Sequence, residues 1–296
     1  MPSITITPIV ASHFATDGGA LFGLVPKPIW SRGLPANERN AVPQRANVCL
    51  LEWPDGRRGL LDSGCGDPAW FSEKEQRLQA MPPGWPLLQA LRDLTIEPDT
   101  IDFVALTHLH WDHAGGIGRI LEGQLQLTFP QADYFVHAQE WHDACSGNPL
   151  LYKSYPADVL APLQAVANQR LRLIESDRTT IAPGLTMHRS GGHTRGHCAF
   201  ELQGEPMHLQ HPAADAFGPC IKAVYAGDVC LTAHHLRLVF QTAYDTFPLD
   251  TRAWKQQWLP RIADEGMVLL FGHDPDRFAA HIAADPRQEF VVTQSL

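Results

Sequence analysis

The stretch of the chain richest in reactive side chains is Thr107-His108-Leu109-His110-Trp111-Asp112-His113-Ala114-Gly115-Gly116. Side chains at i and i+2 of extended backbone point to the same side, so His108 and His110 can converge on one metal ion. Asp112 and His113 follow where the chain must turn, and can face a second ion beside the first. This spacing differs from the i, i+4 histidine pair of a helical zinc protease. Three later turns also end apolar runs in ligand-type residues: Gly191-Gly192-His193-Thr194-Arg195-Gly196-His197, Tyr225-Ala226-Gly227-Asp228 and Phe271-Gly272-His273-Asp274. The carboxyl ends of such runs are where α/β folds gather their sites. Imidazole and carboxylate suit zinc, with manganese, iron or cobalt as alternatives. Two ions roughly 3.5–4 Å apart can hold a hydroxide at neutral pH and stabilise an oxyanion, so hydrolysis is the expected chemistry.

Those turns need a scaffold. β-like runs fall at residues 4–10, 47–53, 59–62, 101–106, 133–137, 185–188, 222–226 and 267–271. Helical spacing of apolar residues predicts helices over 86–94, 158–171, 251–263 and 276–284, with Asp250 as a cap for the third. Strands interleaved with helices indicate an α/β architecture. Two stretches read as long loops, 15–43 and 203–219, and loops of that length usually serve function. No linker-like change of composition divides the chain, so one domain over 1–296 is expected, with the apolar loop at about 15–43.

The composition bounds the partners. With 32 acidic and 23 basic side chains the formal net charge is −9, which argues against a nucleic-acid binder. No apolar run approaches the roughly 20 residues of a membrane span, and no charged segment followed by an apolar one marks a secretory signal. A cytoplasmic protein acting on a small molecule, without membrane or nucleic acid, is the expectation. Six cysteines without a Cys-x-x-Cys pair read as reduced thiols, with Cys49 and Cys198 in apolar runs as core residues.

Taken together, the histidine-bearing turns resemble the metallo-β-lactamase superfamily over nearly the whole chain. The resemblance implies a four-layer αβ/βα sandwich, with two mixed β-sheets flanked by helices and two divalent metal ions per chain at one edge. By that resemblance His108, His110 and His193 hold metal one, Asp112, His113 and His273 hold metal two, and Asp228 bridges them. Asp112 is also the residue that would accept or pass a proton. His197 matches the second histidine of the family's Gly-His-x-x-Gly-His turn, and Asp62, in Leu60-Leu61-Asp62-Ser63-Gly64, its supporting aspartate. Both are expected to orient ligands without binding metal.

The superfamily hosts many hydrolyses, so the fold leaves the substrate open. The segment from Asp17 to Trp30, the string Ala243-Tyr244-Asp245 and the following Pro248-Leu249-Asp250 look like YtnP-type quorum-quenching lactonases. An N-acyl-homoserine lactonase-like enzyme is therefore the first expectation. Phe22, Leu24 and Trp30, with Val25 and Ile29, would wall an acyl tail, or this segment would pack on the core or on a second subunit as a homodimer. Many such lactonases carry a tyrosine three positions after the bridging aspartate; here Leu231 stands there, and His235 or Tyr244 would have to replace its hydroxyl. An organophosphate or aryl-ester hydrolase is the alternative, and a catalytically impaired sensor on the same fold is a second one. The histidines of Met207-His208-Leu209-Gln210-His211-Pro212 read as solvent-exposed loop.

Overall fold

The computed structural model describes residues 2–151, 155, 157–211 and 220–296. Its frame is a mixed sheet of 13 strands. One half sets Ile4–Asp17, Ala41–Glu52, Arg58–Leu61, Phe103–Ala105, Asp133–His137 and Leu171–Ile174 side by side in chain order. The other half sets Cys198–Leu209, Cys220–Tyr225, Val268–Leu270, Ala279–Asp285 and Glu289–Ser295 in chain order. The hairpin Arg178–Ala182 and Leu185–Arg189 pairs onto the first strand of that second half. The strands of the two halves pair where Ile4 to Ile6 lies parallel to Met207 to Leu209.

Alternation along the strands decides which core each side chain enters. Cys49 and Leu51 pack with Phe200 and Tyr225 of the other half, so the two halves share a common core. Val48 and Leu50 face the opposite way, onto Leu87 and Leu91 of the helix Pro86–Asp93. Ala199 and Val224 meet Trp258 and Ile262 of the helix Pro248–Asp264. The result is helix, sheet, sheet, helix. That is the expected four-layer sandwich, with its two sheets joined into one by the short parallel contact.

Several elements depart from the sequence reading. Residues 276–284 were expected as a helix, yet Ala279–Asp285 is a strand between Val268–Leu270 and Glu289–Ser295. Its alanines favour a helix in isolation, but Ala279 faces the shared core while Ala280 and Ile282 face the outer one, and that two-sided burial prevails. The expected helix over 158–171 is broken into Ala157–Ala165 and Ala167–Arg170, and Leu171 already begins a strand. The long helix starts at Pro248 with Phe247 at its N-cap; Asp250 sits in its first turn, where its charge suits the helix dipole.

Neither expected loop is a plain loop. Pairing of the first two strands continues to Asp17 opposite Ala41, so both ends of 15–43 are strand. Between them lie two short helices, Gly18–Phe22, capped by the Asp17 carboxylate, and Lys27–Trp30. The strand Cys198–Leu209 occupies the start of 203–219, His208 and His211 are exposed, and 212–219 falls outside the described residues. All six cysteines are free, and Cys49 and Cys198 are fully buried. Among the described residues no helix is long and apolar enough to cross a membrane.

Candidate metal centre

Five chain segments deliver the candidate ligands to one end of the sandwich. Phe103–Ala105 runs into His108 and His110, and the short helix Trp111–Ala114 carries Asp112 and His113. His193 sits in the turn after Leu185–Arg189, Asp228 in the tight turn Gly227–Cys230 after Cys220–Tyr225, and His273 just beyond Val268–Leu270. Gly227 has φ +52°, and a Cβ there would lie 2.7 Å from His197 Nε2, so only glycine lets this turn form. Three donor sets come together: His108, His110 and His193; His108, His113 and Asp228; and Asp112, His113 and His273.

The distances are those of ligands facing a common centre. Asp228 Oδ1 lies 3.0 Å from His113 Nε2 and 3.1 Å from His273 Nε2, while Oδ2 is 3.3 Å from His193 Nε2. Despite those short separations, Asp228 Oδ1 has no partner with hydrogen-bond geometry, and neither does the buried His108 Nε2. His113 Nε2 and His273 Nε2 are 2.9 Å apart. His273 Nδ1 must donate to the Arg45 carbonyl at 2.8 Å, and His113 Nδ1 donates to Asp62 Oδ2 at 2.8 Å. In the neutral rings both Nε2 atoms therefore present lone pairs to each other, which requires a cation or a proton between them. Orphaned buried ligand atoms and opposed lone pairs both fit divalent metal ions.

The electrostatics agree. Burial, followed by neighbouring imidazoles, pushes His108 and His110 well below the usual histidine range, into the neutral form that binds metal. Burial opposes charge on His113 and His193 as well. There Asp228 outweighs it, with Asp62 and Asp112 at the first and Asp245 at the second, and both pKa values rise. Asp228 is held well below the usual carboxylate range; burial would raise it, but His113, His273 and His193 surround it. A divalent ion replaces the protons these acidic groups would otherwise draw onto the rings.

The two residues expected to support the site lie behind the candidate ligands. The Asp62 carboxylate accepts from Thr107 N at 2.7 Å, from the Tyr225 hydroxyl at 3.1 Å and from His113. His197 has no nitrogen left for a metal: Nδ1 meets Ser190 Oγ at 2.6 Å, and Nε2 accepts from Asp228 N at 3.0 Å. Sequence reasoning missed a third residue behind the candidate ligands, a second carboxylate. Asp245 Oδ1 holds His193 Nδ1 at 2.9 Å, and the backbone around it ties Thr246 N to the His193 carbonyl. The only signal was the string Ala243-Tyr244-Asp245, noted for likeness alone. It missed Glu140 as well, a buried carboxylate against Leu109 and Thr194.

The apolar wall is corrected. Phe22 is stacked between Trp30 and His235, with ring centroids 5.0 and 4.9 Å away, and all three are buried. Their aromatic faces stack on one another inside a small core of the N-terminal arm, and Trp30 also lines a cleft of about 440 Å³ with Ile29, Arg32 and Gly33. Leu24 and Ile29 are the exceptions, 79% and 46% exposed. Leu231 is buried and contributes its carbonyl, which accepts from His273 N at 3.0 Å. His235 cannot replace the missing hydroxyl. Its Nε2 donates to the Leu21 carbonyl, its Nδ1 meets Thr232 Oγ1, and burial pushes its pKa down to about 3. Tyr244 is 53% exposed; burial, then the charges of Asp112 and Asp17, raise its pKa.

Residues 42–207 match the family model of the metallo-beta-lactamase superfamily, and the chain belongs to that superfamily. An N-acyl homoserine lactonase from a Bacillus species is 24% identical over 164 residues, 53% of this chain and 57% of that protein. The N-acyl homoserine lactonase AiiB of Agrobacterium fabrum is 27% identical over 203 residues, 66% of this chain and 65% of its own. The chain thus spans 57–65% of the length of these curated relatives. Among solved structures, a "probable metal-dependent hydrolase" from Staphylococcus aureus is similar with 27% identity and a TM-score of 0.82, covering 99% of this chain and 98% of that one. AidC, described as a dizinc quorum-quenching lactonase, has a TM-score of 0.74 at 16% identity, covers 98% of this chain and 94% of its own, and shares the fold.

Proposed function

We propose that this chain is a dinuclear metal-dependent hydrolase that opens an ester or lactone, with N-acyl-homoserine lactones as its substrate class. The observation that carries the reading is the 2.9 Å approach of His113 Nε2 and His273 Nε2, whose Nδ1 atoms are both committed elsewhere, beside the unpartnered oxygen of Asp228. The lactonase relatives support the substrate class. The imidazole and carboxylate donors suit zinc; His108, His110 and His193 would hold one ion, Asp112, His113 and His273 a second, and Asp228 would serve both. When bound, such a pair polarises a carbonyl and supplies an ionised water at neutral pH.

The chain's own residues do the rest. Asp112, whose side chain keeps 15% exposure, lies 3.6 Å from His273 Nε2, so it can carry a proton between solvent and the alkoxide that leaves the opened ring. Asp62 and Asp245 fix the rings of His113 and His193 against rotation. Tyr244 takes the place of the absent tyrosine, donating its hydroxyl to the substrate carbonyl. An apolar groove of about 560 Å³, lined by Phe14, Ala15, Pro35, Pro43 and Pro82, takes the acyl tail. The Phe14 ring reaches His273, 5.4 Å between centroids, which sets groove and candidate metal site side by side.

The test is hydrolysis of acyl-homoserine lactones of increasing tail length by wild type and Tyr244→Phe, with paraoxon and an aryl ester alongside. Lactone turnover with kcat/KM of about 10⁴ M⁻¹s⁻¹ or more, rising with tail length and falling at least tenfold in Tyr244→Phe, is expected. Faster turnover of paraoxon or the aryl ester would move the substrate class while leaving the metal-dependent hydrolase in place.

A further inference from the structure

We propose that Glu140 is a positioning residue that sets the geometry of one metal site, that of His108, His110 and His193, without being a ligand. It rests on the dinuclear reading above. Glu140 lies on the helix Ala138–Cys145, outside the three donor sets, and is fully buried without a cationic partner among the described residues. Its Oε1 accepts from the backbone N–H of Leu109 at 2.9 Å, the residue between His108 and His110. Its Oε2 accepts from the hydroxyl of Thr194, the residue after His193. One carboxylate thus spans the two loops that carry this donor set, 31 residues away along the chain in one direction and 54 in the other.

Two neighbours tighten the clamp. A Cβ on Gly196 would lie 2.2 Å from the Glu140 backbone nitrogen, so glycine in that turn lets the loop close onto the helix. Tyr155, buried beside Glu140 and Thr194, sets its ring 5.3 Å from that of His110. By contrast, the donor set of Asp112, His113 and His273 is steadied by Asp62 and the Arg45 carbonyl, and has no contact with Glu140. Loss of the clamp should therefore act on one ion and spare the other.

The experiment titrates zinc from the full chain with a chromophoric chelator and reads two dissociation constants. Glu140→Ala is expected to weaken one constant by about 10–100-fold and leave the other unchanged, and Thr194→Val to weaken the same one. Glu140→Gln should restore it, since its oxygen can accept from Leu109 while its amide donates to Thr194. Leu87→Ala, in the core under a distant helix, lowers stability with both constants intact. Unchanged constants in Thr194→Val, or equal weakening of both in Glu140→Ala, would overturn the proposal. Wild-type protein that binds no zinc in the same titration would overturn the dinuclear reading itself.

Discussion

His113 Nε2 and His273 Nε2 lie 2.9 Å apart, and the other nitrogen of each ring is already committed, one to Asp62 and one to the Arg45 carbonyl, so in the neutral rings the two Nε2 lone pairs oppose each other. Two lone pairs at that distance repel unless something positive lies between them. Segments 160 residues apart in sequence are folded to create this arrangement. An arrangement of this kind should cost stability in the metal-free protein, and bound cations should recover it.

Metal removal should consequently destabilise the protein in a pH-dependent way. The raised pKa values of His113 and His193 mean that protons substitute for metal at low pH. Their contribution is fully present below the unfolded value of about 6.5, and is lost as pH rises through the folded values. The rise in Tm on adding zinc to chelator-treated protein should accordingly be larger at pH 8 than at pH 6. Calorimetry with and without zinc at both pH values checks this, and an equal gain at both would remove proton–metal competition from the site.

Asp245→Asn should leave the fold intact and impair the site. The amide can no longer fix the His193 ring as a carboxylate does, and loss of such a partner typically costs about 10–100-fold in metal affinity or activity. Zinc affinity and kcat/KM measured on the same preparation test it; a drop in Tm with neither affected would assign Asp245 to packing alone.

What was legible in the sequence was what is local. His108, His110, Asp112 and His113 lie within six residues, and the backbone spacing alone brings their side chains together. Asp245 and Glu140 were not legible, because the site partners they hold are 31 to 54 residues away and a single carboxylate carries no periodic signal. The strand Ala279–Asp285 was hidden by alanine's helix propensity, which only the neighbouring strands overrule. For Phe22 and Trp30 the sequence left a ligand wall and core packing equally open, because composition does not reveal that two aromatic rings stack on each other.

That last correction changes what Trp30→Ala should do. With its ring 3% exposed and stacked on Phe22, the loss should be of stability, about 3–5 kcal/mol, and should not depend on the substrate's tail length. Urea unfolding, together with KM for short and long acyl chains, separates the cases. A selective rise in KM for long chains with unchanged stability would return Trp30 to the substrate.

The central claim is that ester hydrolysis depends on two ions held by His108, His110, Asp112, His113, His193, Asp228 and His273. The most direct measurement adds zinc in known increments to chelator-treated protein and follows hydrolysis of N-hexanoyl-homoserine lactone. Activity should be absent at the start, climb with metal and level off at two ions per chain, and Asp228→Ala should not recover at any metal level. Full hydrolysis in the metal-free protein, or in Asp228→Ala, would contradict the account.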